Sequence, residues 1–285
     1  MLCSLPNRRK SYKTLKVSDY IQRLEHAEIE NAQQESLWLI SHALGVSHSV
    51  ILSRENFSDD ECAKIESVIS RRINGEPLQY ILGEADFYGR DFHVGRGVLI
   101  PRQDTETLID AMKFFAGHDE SFYFADWGTG SGCIAITILL EFPRAEGYLL
   151  EASSEASRYA QLNIERWGVS ERAHLVSSPE APAKCKVLVS NPPYIPSGEI
   201  EGLMREVRDF EPHSALDGGE DGMRFYGEIF SLAGRLGCEL VVLETGSMNQ
   251  VESLRTFSQD FELCDEVMDS SGFPRGLVFR RRQLL

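Results

Sequence analysis

No stretch of this 285-residue chain approaches the ~20 consecutive apolar residues a membrane helix needs, so no membrane association is expected. The six cysteines (Cys3, Cys62, Cys133, Cys185, Cys238, Cys264) form no C-x-x-C pair. Scattered thiols suit a reducing compartment and offer no zinc spacing. None of the seven histidines stands in an H-E-x-x-H pattern, and no metal is expected. The segment Met1–Pro6 is too short for a signal h-region and meets Arg8-Arg9-Lys10 at once, which predicts a cytoplasmic protein. A basic surplus is missing as well: 29 Lys and Arg face 44 Asp and Glu, a net charge of −15.

That deficit is unevenly placed. Residues 1–75 carry ten basic and ten acidic side chains, whereas residues 76–285 carry 19 against 34. Binding to a phosphate backbone rests on cationic contacts, so an acidic second part argues against a nucleic-acid partner. The basic residues Arg8, Arg9, Lys10, Lys13 and Lys16 read as a solvated arm within a loose tail, residues 1–14. The length fits one large or two modest domains, and the mix of 26% charged and 42% hydrophobic residues is that of an ordinary soluble protein.

From Ser18 to about Arg72 the apolar spacing is helical. Tyr20, Ile21 and Leu24 make one stripe; Leu37, Trp38, Ile40 and Leu44 make a second, closed by Gly45. Ser58-Asp59-Asp60-Glu61 is a capping box that opens a helix carrying Ile65, Val68, Ile69 and Ile73. This bundle holds no catalytic constellation. Alternation and glycine punctuation across Glu76–Gly83 and Phe87–Val94 then predict a β-hairpin linker. Asp104-Thr105-Glu106 opens a helix, where first-turn acids are favoured by the dipole.

Beyond that point strands and helices alternate, which predicts a doubly wound sheet. Phe122–Asp126 reads as its first strand, followed by Gly128-Thr129-Gly130-Ser131-Gly132 and an apolar helix. The glycines let the backbone approach a ligand at a helix N-terminus. The dinucleotide fingerprint needs its third glycine one position later, where Cys133 stands. The second strand ends at Glu151, placed to accept ribose hydroxyls, or else simply a helix N-terminal acid. A helix over Glu155–Trp167, a strand over 173–177, a polar helix over Glu199–Asp209 and a helix over Met223–Leu236 follow. The last strands are read at Glu239–Glu244, Phe261–Met268 and Leu277–Arg281.

The most informative stretch is Val187-Leu188-Val189-Ser190-Asn191-Pro192-Pro193-Tyr194, a buried strand running into a stiff polar turn. Asn191 offers a carbonyl acceptor, Pro192 a carbonyl without an N–H, and Tyr194 a flat ring. That set suits a planar NH2 group; the plainer alternative is a proline turn leaving a core strand. Such a turn is the mark of methyltransferases that act on planar amino or amide nitrogens.

Taken with Glu76–Gly83, Leu99-Ile100-Pro101-Arg102, Thr105-Glu106, Gly128–Gly132 and Leu216–Gly222, the chain resembles the release-factor glutamine methyltransferases, the HemK-like family. The resemblance implies an α/β fold, a Rossmann-like seven-stranded methyltransferase sheet with a small N-terminal bundle of five helices and a hairpin linker. The expected division is 1–75 for partner recognition, 76–97 for the linker and 98–285 for catalysis. The implied reaction methylates the glutamine of the Gly-Gly-Gln loop of peptide-chain release factors with S-adenosyl-L-methionine. By the same resemblance Gly128, Thr129, Gly130, Ser131, Gly132, Glu151 and Asn191 contact the cofactor. Asn191, Pro192, Pro193 and Tyr194 form the glutamine site, with Asn191, Pro192 and Tyr194 catalytic. A monomer is expected. The chain has Ser177-Ser178-Pro179 where the family carries an acid beside adenine, Lys186 where it carries Asp, and Gln103 where it carries proline. Two other functions fit the same turn: methylation of a base amine on DNA or RNA, and a binding protein without cofactor.

Overall fold

The computed structural model describes residues 15–177 and 184–282. The tail 1–14, with Arg8, Arg9, Lys10 and Lys13, and the adenine-loop positions Ser178 and Pro179 lie outside the described residues. The chain divides between Leu82 and Gly83 into two compact units.

The first unit holds helices α1 (Val17–His26), α2 (Ala32–Leu44), α3 (His48–Leu52), α4 (Asp59–Ile73) and α5 (Leu78–Leu82). The capping box stands as read: Ser58 accepts from the Glu61 N–H while Glu61 accepts from the Ser58 N–H. The α2 stripe is corrected. Leu39 and Ile40 are buried, whereas Trp38 is exposed. The buried face also carries Glu35, which is held by a buried ion pair to Arg72 of α4 at 2.6 Å, so it is not a purely apolar stripe. Leu78–Leu82 is helical, not the first arm of a hairpin. Pro77 sits just before that turn, where its missing N–H costs nothing, and its carbonyl accepts from Ile81.

The second unit begins with the hairpin β1 (Glu84–Phe87) and β2 (Arg90–His93), then α6 (Glu106–Phe115). The strands β3 (Tyr123–Trp127), β4 (Glu146–Leu150), β5 (Ala173–Val176), β6 (Val187–Ser190), β7 (Leu240–Glu244), β8 (Phe261–Met268) and β9 (Pro274–Arg281) form one sheet. Their order is β5-β4-β3-β6-β7-β9-β8, parallel except where β9 runs antiparallel to β7 and β8. Helices α7 (Cys133–Glu141), α8 (Ser154–Arg166), α9 (Arg205–Phe210), α10 (Tyr226–Leu236) and α11 (Met248–Leu254) complete it.

Strand alternation fixes two cores. Val187 and Val189 pack with α6 and α7 on one face; Leu188, Val241 and Leu243 pack with α10 and α11 on the other. Every residue of β6 and β7 is therefore buried, as a central parallel strand requires. The chain winds from β3 outward to β5, then returns to β6 on the other side of β3. That reversal opens a crevice at the carboxyl ends of β3 and β6, where Asp126 pairs in register with Val189.

Three readings are corrected. The polar helix expected over Glu199–Asp209 is a 3-10 turn (Ser197–Gly202) followed by α9, with extended backbone at Leu203 and Met204 between them. Helix α11 was not read at all; its Ser247 cap accepts from the Gln250 N–H, a short-range signal overlooked. Strand β9 starts at Pro274 rather than Leu277, on the residue that pairs with Met268. No helix among the described residues is long and apolar enough to cross a membrane.

Candidate active site

The crevice holds a cavity of about 480 Å³, bordered by residues that follow β3, β4 and β6. Gly128, Thr129, Gly130 and Ser131 line it after β3, Glu151 after β4, and Asn191 and Pro193 after β6. Gly132 does not; it caps α7 with φ +81° and packs on Ile136. A Cβ at Gly128, where φ is +71°, would meet no atom within 4 Å, so the missing side chain leaves ligand space open.

The acid after β4 organises this loop. Glu151 accepts from the Gly130 N–H at 2.9 Å and from the Ser153 N–H at 2.8 Å, one bond on each oxygen. Each oxygen keeps a second lone pair. Beneath the loop Asp126, fully buried, accepts from the Thr129 hydroxyl at 2.6 Å. Burial pushes its carboxyl up to about 7, and Glu151 adds to the push. Ser131 Oγ is buried at the cavity wall beside the Cys133 thiol, which burial pushes up to about 12. Trp127 and Phe225 meet at 5.4 Å between ring centres on the same wall.

A second cavity of about 200 Å³ adjoins the first. Asn191 borders both; Pro192 and Tyr194 border only the smaller one, together with Leu203 and Val207. The Asn191 Nδ2 donates to Thr105 Oγ1 at 3.0 Å. This assigns the amide end of the side chain and leaves Oδ1 as the acceptor. No described residue donates to Oδ1 or to the Pro192 carbonyl.

The turn is held from several sides. Ser190 donates to the Trp127 carbonyl at 2.7 Å, tying the ends of β6 and β3. Ile195 accepts from the Gly218 N–H at 2.8 Å and donates to Leu216 at 3.0 Å. Gln250, from α11, donates to the Tyr194 carbonyl at 2.7 Å and to that of Gly222 at 3.3 Å. A Cβ on Gly222 would collide with the Tyr194 carbonyl and the Gln250 amide, which explains the glycines in Leu216–Gly222. Tyr194 donates to Glu244 Oε1 at 3.0 Å, and its ring packs on Gly246. Arg102 borders both cavities and is paired with Glu211 at 2.5 Å.

Sequence reasoning missed Asp126, Trp127, Thr105, Glu244 and Phe225. Thr105 stood in a quoted motif without a role, and Glu244 reads as the polar end of a strand. Neither shows a partner until β7 is laid beside β6. Ser177 does not line the large cavity, and Lys186 donates to Glu120 at 2.5 Å, away from the crevice. Among the described residues no cluster of three or more His, Cys, Asp or Glu is placed to hold a metal ion.

The donor set fits a cationic nucleoside cofactor. A glycine cradle keeps one wall open, Glu151 retains acceptor lone pairs, and Arg102, which borders the cavity, is neutralised by Glu211. The volume lies in the range of ordinary cofactor sites, about 300–1,000 Å³.

Residues 17–83 match the PrmC N-terminal domain and residues 104–206 the methyltransferase small domain. A release factor glutamine methyltransferase of Nitratidesulfovibrio vulgaris is 36% identical over 277 residues, covering 93% of each chain. One from Geobacter sulfurreducens is 41% identical over 202 residues, covering 70% of each. A methyltransferase structure from Pyrococcus furiosus superposes with a TM-score of 0.50 at 17% identity, covering 75% of this chain and 98% of its own, which supports the fold. This chain is a member of the release factor glutamine methyltransferase family, whose cofactor is S-adenosylmethionine.

Proposed function

We propose that the protein methylates the side-chain amide nitrogen of the glutamine in the Gly-Gly-Gln loop of bacterial peptide-chain release factors, supporting translation termination. The observation that carries this is the pair of uncommitted acceptors, Asn191 Oδ1 and the Pro192 carbonyl, where the two cavities meet. The larger cavity would hold the cofactor on Gly128, Thr129, Gly130, Ser131, Glu151 and Asn191, with Gly132 shaping the loop; the smaller would take the glutamine beside Asn191, Pro192 and Tyr194, while Pro193 lies on the wall of the larger.

When bound, S-adenosylmethionine supplies an electrophilic methyl group on a sulfonium. An amide nitrogen is a weak nucleophile because its lone pair is delocalised into the carbonyl. Two acceptors hold its two N–H bonds, aim the nitrogen and favour the positive charge that grows on it. Orientation of this kind supplies up to ~7–11 kcal/mol in favourable systems. The methylated nitrogen then loses one proton to solvent, so the chain needs no base for the transfer itself. Tyr194 walls the smaller cavity, and its ring is kept in place by Glu244 and Gly246.

The helical unit is assigned to recognition of the release factor, and the working form to a cytoplasmic monomer with no nucleic-acid partner. Mass spectrometry of a purified release factor incubated with protein and cofactor tests the reading. A shift of about +14 Da on the Gly-Gly-Gln peptide, one CH2 added, supports it. An unmodified peptide, with a steeply salt-dependent affinity for RNA or DNA, overturns it in favour of a base methyltransferase.

A further inference from the structure

A buried asparagine must find partners for both ends of its amide, because each is a strong polar group taken out of water. Asn163 of α8 is fully buried. Its bonds go to the backbone of two other elements. Oδ1 accepts from the His93 N–H at 2.7 Å, while Nδ2 donates to the His93 carbonyl at 3.0 Å and to the Ser131 carbonyl at 2.8 Å. Both amide hydrogens are used, so the two ends of the side chain cannot exchange places. One residue thereby joins β2 to the glycine loop after β3.

The same face of α8 continues the contact. Glu155, Tyr159 and Asn163 stand four residues apart and share one side of the helix. They meet residues 97, 95 and 93 in that order. A Cβ on Gly95 would collide with the Tyr159 hydroxyl, and one on Gly97 would fall 2.9 Å from the Glu155 Cβ. Residues 93–99 therefore lie along α8 as a strap, with glycine where helix and strap touch most closely. Gly97, Val98 and Leu99 carry the strap onto the wall of the larger cavity. A Cβ on Gly130 would come 3.8 Å from a Val98 methyl, so strap and glycine loop face each other. In that loop Ser131 is 2% exposed, borders the cavity, and its hydroxyl has no hydrogen-bond partner among the described residues. A buried hydroxyl left alone is rare, and a ligand in the cavity would complete it.

We propose that Asn163 is a positioning residue for cofactor binding: by holding the Ser131 carbonyl and both backbone groups of His93, it aims the Ser131 hydroxyl into the larger cavity and sets the strap 93–99 at its distance from the glycine loop. The proposal rests on the placement of S-adenosylmethionine in that cavity in the preceding subsection. Asn163 borders neither cavity, so its effect passes through Ser131 and the strap.

The test is calorimetry of the full chain with S-adenosylmethionine, with a thermal melt on each preparation. Asn163→Asp keeps the shape and the acceptor for His93 but loses both donated bonds; Asn163→Ser is the smaller alternative. In each folded variant Kd should rise about tenfold, the scale of a buried carbonyl left without its donor, with stoichiometry unchanged. A merely structural role would lower stoichiometry and melting temperature and leave Kd alone. Ser131→Ala should weaken binding about tenfold in wild type and less than about threefold in Asn163→Asp, where the hydroxyl is already misaimed. Wild type gives a measurement that depends on no variant. Cofactor bound between loop and strap opposes their separation, so hydrogen exchange of the His93 amide should slow at least about tenfold with saturating S-adenosylmethionine. Amides of β8, at the far edge of the sheet, should change less than about threefold. A wild-type Kd in the folded variants, additive losses with Ser131→Ala, or His93 exchange indifferent to the cofactor overturns the inference. Wild type that binds S-adenosylmethionine but leaves the release factor unmodified overturns the methylation reading alone. Wild type that binds no S-adenosylmethionine overturns both.

Discussion

In the proposed reaction Asn191 carries the chemistry because one of its ends is already committed. With Nδ2 spent on Thr105, the side chain offers a fixed acceptor rather than a rotating amide. Asn191→Ala should abolish methylation, lowering kcat by at least about 100-fold, a typical loss when a group aimed at transition-state charge is removed. Cofactor affinity should weaken only modestly, since Asn191 is one of several groups on the larger cavity. Near-normal turnover of this variant, measured by methyl incorporation, contradicts the assignment. Glu151 is a different case, because its two oxygens already brace Gly130 and Ser153. Glu151→Gln exchanges one acceptor for a donor facing an N–H. Calorimetry should show about tenfold weaker cofactor binding, near 1.4 kcal/mol. Unchanged affinity would detach Glu151 from the cofactor site.

Among the elements, the stiff turn after β6 owes its shape to parts distant in the chain. The Leu216–Gly222 turn and α11 both grip Tyr194 and Ile195 by their backbones. Gly222 has φ +74° and no room for a Cβ. Gly222→Ala should cost about 1–2 kcal/mol from the left-handed backbone alone, plus the clash. It should also lower kcat, although no atom of residue 222 borders either cavity. A thermal melt and a turnover assay on the same preparation check this; wild-type values in both would show that the turn yields freely. Helix α11 and the break in 199–209 escaped the sequence reading for related reasons. A seven-residue helix has barely two turns of periodicity, and the extended residues Leu203 and Met204 sit in a stretch whose composition is helical throughout. The α2 stripe is displaced from the expected one because its buried face includes Glu35, whose charge is met by Arg72 on α4.

For the whole molecule, burial of two acids in the second unit shapes stability against pH. Asp126 and Glu244 are pushed from ordinary values of 3.8 and 4.5 to about 7, first by desolvation. Between those limits the folded state binds more protons than the unfolded one, so stability falls as pH rises through the window. The ligand-free protein should therefore melt higher near pH 5.5 than near pH 8, each kcal/mol being worth about 2–4 °C for a unit of this size. Asp126→Asn and Glu244→Gln should each flatten that slope. Asp269 works the other way. The Ser271 hydroxyl, two backbone N–H groups and Arg275 hold it down at about 2, so its contribution disappears only as pH drops below 3.8 toward that value. A melting temperature that climbs steadily from pH 5.5 to 8 would contradict the account.

Local patterns were enough to establish the helical first unit, the alternating second unit, the glycine loop, the acid after the second strand and the polar turn. Each is a short-range property: apolar spacing, caps, and residues with restricted or permissive backbones. What those patterns could not supply was adjacency. Asn191 meets Thr105, and Tyr194 meets Glu244, only because β6 and β7 pair in parallel and α6 begins beside them. The direction of a hydrogen bond and the pKa of a carboxyl depend on what surrounds a side chain, and those surroundings come from distant parts of the chain.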